Sequence, residues 1–372
     1  MTKPLAGIKV LDFSTLLPGP MAGLILAEAG ATVIKIERPG GEDMRAYDPA
    51  WGKEAVNFAL LNRGKKSLAL DLKDPEAIAR LRPLIAEADV FLEQFRPGVM
   101  ERLGLGYEAV KAINPEVIYC AITGYGATGP KRRVAGHDLN YIGDSGLLAL
   151  SHGSPSDPVL PPALIADIAG GTYPAVMNIL LALLQRERGG GGSFLDIAMT
   201  DSLFTFQYWA MGAGLATGRW PASGDGLVTG GTPRYFLYPT SDGRLLAAAP
   251  LEEKFWAAFC AVVDLPEAWR DDAKDPTGTQ RAVAEIVVKQ PASHWEPLFA
   301  AADCCCSIVK SLEEALADPH FRARGLFEGR LANEAGAEMI ALPVPLAPVF
   351  RDRDDKPKSA PPLGADNDEL LS

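Results

Sequence analysis

The sequence predicts an α/β fold: a Rossmann-like large domain built on a parallel sheet, followed by a smaller α+β unit. Two observations carry this. Apolar runs of strand length recur between residues 8 and 122, and the stretches separating them have helical spacing. After residue 199 the texture changes to aromatic-rich apolar segments and a hairpin pattern. At 372 residues the chain also exceeds the usual size of one core, so two domains are expected.

In chain order, IKVLDF (8–13) reads as a buried strand, and PGPMAGLILAEAG (18–30) as a turn and a helix ending at Gly30. ATVIKIE (31–37), SLALDL (67–72), DVFLEQF (89–95) and VIYCAI (117–122) are the following strands. PEAIARLRPLIAEA (75–88) is a helix that starts at a proline behind an aspartate cap. Strands alternating with helices in this way give a parallel sheet, and such sheets take ligands at the carboxyl ends of their strands. MTDSLFTFQYWAMGAGLATG predicts one long apolar helix, and YFLYPTSDGRLLAAAP a hairpin turning at Ser241-Asp242-Gly243. The expected division is 1–198 for the large domain, 199–234 for a linker helix and 235–325 for the small unit. Residues 326–372 then form a return segment and tail on the large domain.

A net charge of -11 argues against general nucleic-acid or anionic-membrane binding, which need a basic footprint, but leaves room for a local basic pocket. MTKPLAGIKVLDFS lacks the apolar core of a signal peptide, and VMNILLALL is too short to span a bilayer, so a cytoplasmic protein is expected. The five cysteines include the contiguous Cys304, Cys305 and Cys306. That spacing does not suit zinc, and they read as buried small hydrophobes in a reducing compartment. LLPGPMAG, TGYGATG and GGGGS are glycine-rich, yet none matches a dinucleotide or P-loop fingerprint in its proper context.

The chain has only four histidines. His137, in AGHDLNY, starts a helical pattern after a glycine, where it reads equally as a cap or as a proton carrier. Asp167, in LIADIAGG, precedes another helical pattern; it reads as an N-cap that is also fixed and ionised enough to be a base or nucleophile. Glu252 opens LEEKFWAAF and is either a helix-entry carboxylate or the acid that orients His137. Arg38 and Arg96 follow strands and fall on one sheet edge, where they would hold phosphates; Arg63 and Lys65 precede a strand.

IKVLDFSTLLPGPMAG, TVIKIERPG, LNRGKKSLALDLK, FRPGV, GHDLNY, LIADIAGG and GGTPRYFLYPTSDG together resemble the family III CoA-transferase superfamily, across nearly the whole chain and in order. This is the formyl-CoA transferase, carnitine CoA-transferase and α-methylacyl-CoA racemase group. The resemblance implies an interlocked homodimer and an acyl-CoA substrate, with coenzyme A as part of that substrate and no tightly bound cofactor or metal. It further implies CoA contacts from Arg38, Asn62, Arg63, Gly64, Lys65, Asp71, Leu72, Lys73 and Arg96, and a thioester wall from Gly136, Asp138, Leu139, Asn140 and Tyr141. Asp167 matches the aspartate that attacks the thioester in transferases and moves a proton in racemases. His137 matches the racemase histidine, and Glu252 the glutamate that supports it. Ala163 stands where the racemases carry an asparagine. The expected activity is therefore racemisation of 2-methylacyl-CoA thioesters, with CoA transfer between carboxylic acids as the alternative.

Overall fold

A computed structural model describes residues 3–351 and 356–372; residues 352–355 of the expected return segment lie outside the described residues. The chain forms two compact units, one of 1–145, 163–205 and 319–372, the other of 146–162 and 206–318.

The first unit carries a six-stranded sheet. Its strands are β1 (Lys9–Asp12), β2 (Thr32–Glu37), β3 (Lys66–Ala69), β4 (Val90–Glu93), β5 (Ile118–Thr123) and β6 (Ser193–Ala198). All neighbours pair in parallel, in the order β6-β5-β4-β1-β2-β3. This is the doubly wound order, with its switch point between β1 and β4. The inner strands β4 and β5 are buried at every position, which is why they read as unbroken apolar runs rather than alternating ones. Helix α1 (Pro18–Glu28) packs on one face of the sheet. On the other, α3 (Pro75–Glu87) contributes Leu81 and Ile85 to a core with Leu11, Phe91 and Tyr119. The Phe13, Phe91 and Tyr119 rings stack across that core with centroids 4.4 and 4.8 Å apart. Asp74 caps α3, its side chain accepting from the Glu76 amide at 2.9 Å.

Between α1 and α3 lies α2 (Val56–Asn62), and after β5 come α4 (Asp138–Asp144) and α5 (Tyr173–Gln185). A π-turn, Ala166–Thr172, leads into α5 and another, Arg186–Gly190, leaves it. Together they make one 25-residue helix, Ala166–Gly190, that by length and composition alone could cross a membrane. The sequence reading cut this segment short at its charges. Its inner face packs on β5, β6 and α1, as a core helix does. Its outer face shows Tyr173, Met177, Leu180, Leu181 and Leu184 at helical spacing, each between 42% and 57% exposed.

The second unit has a three-stranded antiparallel sheet of β7 (Phe236–Pro239), β8 (Leu245–Ala248) and β9 (Cys306–Ile308). The expected hairpin is present, with Gly243 at φ +78° in its turn. Trp256, Phe259, Trp295 and Phe299 fill the core beneath it. The single helix expected after residue 199 is instead broken: Met199–Leu203 and Tyr208–Thr217 are separated by a tight turn whose Gln207 is buried. The three adjacent cysteines are not uniformly buried either: Cys304 is, Cys306 is half-buried and Cys305 is exposed at φ +59°.

Candidate active site

The loops after β1 and β4 diverge at the switch point and frame a cleft of about 480 Å3. Thr15, Leu16 and Pro18 come from the first loop, Gln94 to Pro97 from the second, and the two are tied where the Gly19 amide donates to Gln94 Oε1 at 2.8 Å. The β5 loop supplies Gly124 and Tyr125. His137, Tyr141 and Asp167 complete the cleft, with Met199 beside them.

Each position has a local cause. A Cβ on Gly124 would stand 2.4 Å from the Tyr141 ring, and one on Gly136 2.7 Å from it. The glycines of TGYGATG and AGH thus let Tyr141 lie against the backbone, where its hydroxyl donates to the Gly136 carbonyl at 2.5 Å. His137 is the extended residue before α4, and its amide donates to Asn140 Oδ1 at 3.0 Å. The side chain is exposed and faces the cleft.

Asp167 is not the expected cap but lies one residue inside the π-turn. A helix start leaves backbone donors unsatisfied. Here the Asp167 amide donates to Asp138 Oδ1, 3.0 Å away on α4. Burial, and then the charge of Asp138, push the Asp167 carboxyl up to about 6, while His137 opposes them. The carboxyl is therefore poised close to neutral pH. Asp138, expected among the thioester contacts, is buried and accepts from the Asp167 amide. Among the described residues, no group of three His, Cys, Asp or Glu side chains converges as a metal holder.

The basic segment before β3 also departs from expectation. Lys65 is fully buried, donating to Asp12 Oδ2 (2.9 Å), the Pro20 carbonyl (2.8 Å) and Asn62 Oδ1 (2.9 Å). Arg63 is buried against Glu28 at 2.9 Å and donates to the Leu60 and Leu342 carbonyls. Asn62 donates to the Phe58 carbonyl. These side chains are held inside the unit, fastening α2 to β1 and α1. Gly64 is exposed and takes φ +75°. Arg38, Asp71, Lys73 and Arg96 are exposed, with Leu72 half-buried, as are Leu139 and Asn140 exposed on α4. Arg38 donates to the Gly41 carbonyl at 2.7 Å and pairs with Asp43. Glu252 lies in the second unit, exposed before the helix Glu253–Val262, and is not among the residues lining the cleft.

Two features had no signal in the sequence. Leu16 holds φ +63°, a conformation a branched side chain occupies at a cost of about 1–3 kcal/mol. Glu93, at the end of β4, is buried and pushed up to about 8 by that burial; it borders a second cavity of about 280 Å3 with Arg96, Arg132 and Arg133.

The CoA-transferase family III profile matches residues 5–367. The chain belongs to CoA-transferase family III. It is 34% identical to human alpha-methylacyl-CoA racemase, covering 99% of this chain and 92% of that protein. It is 32% identical to human succinyl-CoA:glutarate CoA-transferase, covering 99% of this chain and 85% of that protein. A crystal structure of a CaiB/BaiF family protein from Brucella suis superposes over the full length of both chains with a TM-score of 0.83 at 29% identity. The family's relatives thus include both chemistries at nearly equal similarity, and the cleft at the switch point belongs to a family III fold.

Proposed function

We propose that this family III protein racemises or epimerises 2-methylacyl-CoA thioesters. The observation that carries the reading is the pairing, in one cleft, of an exposed imidazole at His137 with a half-buried carboxyl at Asp167 held near 6. An imidazole and a carboxyl facing one cleft are the two kinds of group that a two-base reaction at one carbon uses to carry protons. One of them takes the α-proton, and the C–H pair becomes the Cα=C bond as the carbonyl π pair moves onto the thioester oxygen to give an enolate. The other returns a proton to the α-carbon from the opposite face as the carbonyl re-forms. Backbone N–H groups at the cleft stabilise the enolate oxygen. Arg38, Gly64, Asp71, Leu72, Lys73 and Arg96 serve as contacts for the CoA part, and Gly136 and Tyr141 as the wall for the thioester. No tightly bound cofactor enters this chemistry.

The test is α-hydrogen exchange. Purified protein in D2O with a 2-methylacyl-CoA, and with no acceptor acid, incorporates deuterium at the α-carbon; Asp167→Ala abolishes this. Absence of exchange in folded protein sinks the reading. The competing activity is CoA transfer with Asp167 as nucleophile, favoured by the transferase relatives and by Ala163. It demands a donor and an acceptor acid together and leaves a hydroxylamine-sensitive adduct on Asp167.

The protein works as a homodimer on acyl-CoA in the cytoplasm, without nucleic-acid or membrane partners. The apolar stripe from Tyr173 to Leu184 supports the dimer, since patches of this kind mark protein contacts. Five free thiols suit a reducing compartment.

A further inference from the structure

Leu16 is a branched residue in left-handed backbone at the wall of the catalytic cleft, and something must hold it there. The Leu16 amide donates to Glu42 Oε2 at 2.7 Å, across 26 residues of chain. Glu42 Oε1 meets Lys35 Nζ at 2.9 Å, and both of those side chains are at most 1% exposed. Lys35 Nζ also donates to the Ser14 carbonyl at 2.9 Å, two residues before Leu16. One buried ion pair therefore grips the β1 loop at two points, on either side of Thr15. The Glu42 backbone is fixed in turn, its amide donating to Glu37 Oε2 at 3.2 Å, while Arg45 holds Glu37 at 2.7 Å. Neither Glu42 nor Lys35 is among the residues lining the cleft; Leu16 is. A hydrogen bond to an ionised group is among the stronger kinds, and a buried one does not exchange with water.

We infer that Glu42, backed by Lys35, is a positioning residue that keeps Leu16 in its left-handed conformation as a fixed apolar wall, and that Leu16 thereby limits the size of the acyl group accepted. The inference rests on the cleft taking an acyl-CoA, whichever reaction follows. Glycine reaches positive φ without strain, and it has no side chain to aim. Removing Glu42 should then matter when residue 16 is leucine and not when it is glycine. A merely structural ion pair would cost the same in both backgrounds.

The experiment is a calorimetric binding panel on the full chain: free CoA, acetyl-CoA and a bulky branched acyl-CoA. It is run on wild type, Leu16→Ala, Leu16→Gly, Glu42→Gln and the Glu42→Gln/Leu16→Gly double variant. Binding constants read the wall independently of racemase or transferase chemistry. Both Leu16 variants should raise the bulky-to-acetyl affinity ratio at least fivefold, with free CoA within twofold of wild type. Glu42→Gln should raise the ratio at least threefold alone, and less than twofold further in the Leu16→Gly background. Where Glu42→Gln does not fold, Glu42→Asp replaces it, keeping the charge against Lys35 while withdrawing from Leu16. An unchanged ratio in Leu16→Ala, or equal Glu42 effects in both backgrounds, overturns the inference. Wild-type protein that is folded but binds no acyl-CoA overturns the functional reading itself.

Discussion

At Asp167 the proton affinity is set by burial first and by the neighbouring Asp138 carboxylate second, with His137 pulling the other way. For the enantiomer whose proton Asp167 removes, exchange should rise with pH through about 6 as the carboxyl ionises. Asp138→Asn withdraws a raising charge, so that limb should move down in a pH–rate profile. It should remain above the ordinary carboxylate range, because burial persists. The same shift has a stability sign. A carboxyl raised from 3.8 to about 6 binds its proton more tightly folded than unfolded, so stability is lost as pH rises across that window. Asp167→Asn should therefore raise stability at pH 7 by about 1–3 kcal/mol while abolishing exchange, as a urea midpoint and the D2O assay would show. A variant no more stable than wild type at pH 7 would mean that the site does not strain its own base.

Among the elements, the π-turn carrying Asp167 depends on contact as much as on helical pattern. A Cβ on Gly170 would stand 2.3 Å from the Met199 carbonyl oxygen, a backbone atom that cannot swing aside. Thr172 adds a bond to the Pro18 carbonyl at 2.8 Å. Gly170→Ala should cost about 1–3 kcal/mol or more by denaturant unfolding, and it should lower exchange by displacing Asp167. An unaltered midpoint would show that the turn has slack. The parallel strands were legible because burial on both faces writes apolar residues at consecutive positions. The sequence singled out His137 and Asp167, which line one cleft, but not the Asp138 contact, since its partner lies 29 residues away on another helix. The buried partners of Arg63 and Lys65 were hidden for the same reason: Glu28 and Asp12 are 35 and 53 residues distant. A π-turn is equally hidden, because one wide turn barely alters hydrophobic spacing. Nothing about leucine announces a positive φ at position 16.

For the whole molecule, the outward stripe of the Ala166–Gly190 helix leaves five large apolar side chains exposed on the element that also carries Asp167. Under the homodimer reading, Met177→Glu places a charge in the middle of that stripe and should shift the protein from dimer to monomer in sedimentation velocity. A dimer that survives the charge would place the contact elsewhere. The first unit is assembled from three separate stretches of chain, and its last stretch closes the sheet. The outer edge of β3 is met by the tail: Asp366 Oδ2 accepts from the Ser67 amide at 2.8 Å, and Asn367 Oδ1 from the Ala69 amide at 2.9 Å. This contact implies a timetable. Ser67 and Asp366 are 299 residues apart, so during synthesis that strand edge waits roughly 15–60 s for its cover. Within that interval residues 206–318 have all emerged, and the second unit can complete its core before the first. An uncovered strand invites pairing with other chains. The nascent protein thus carries an open strand edge until its last residues are made, even after its second unit can have folded.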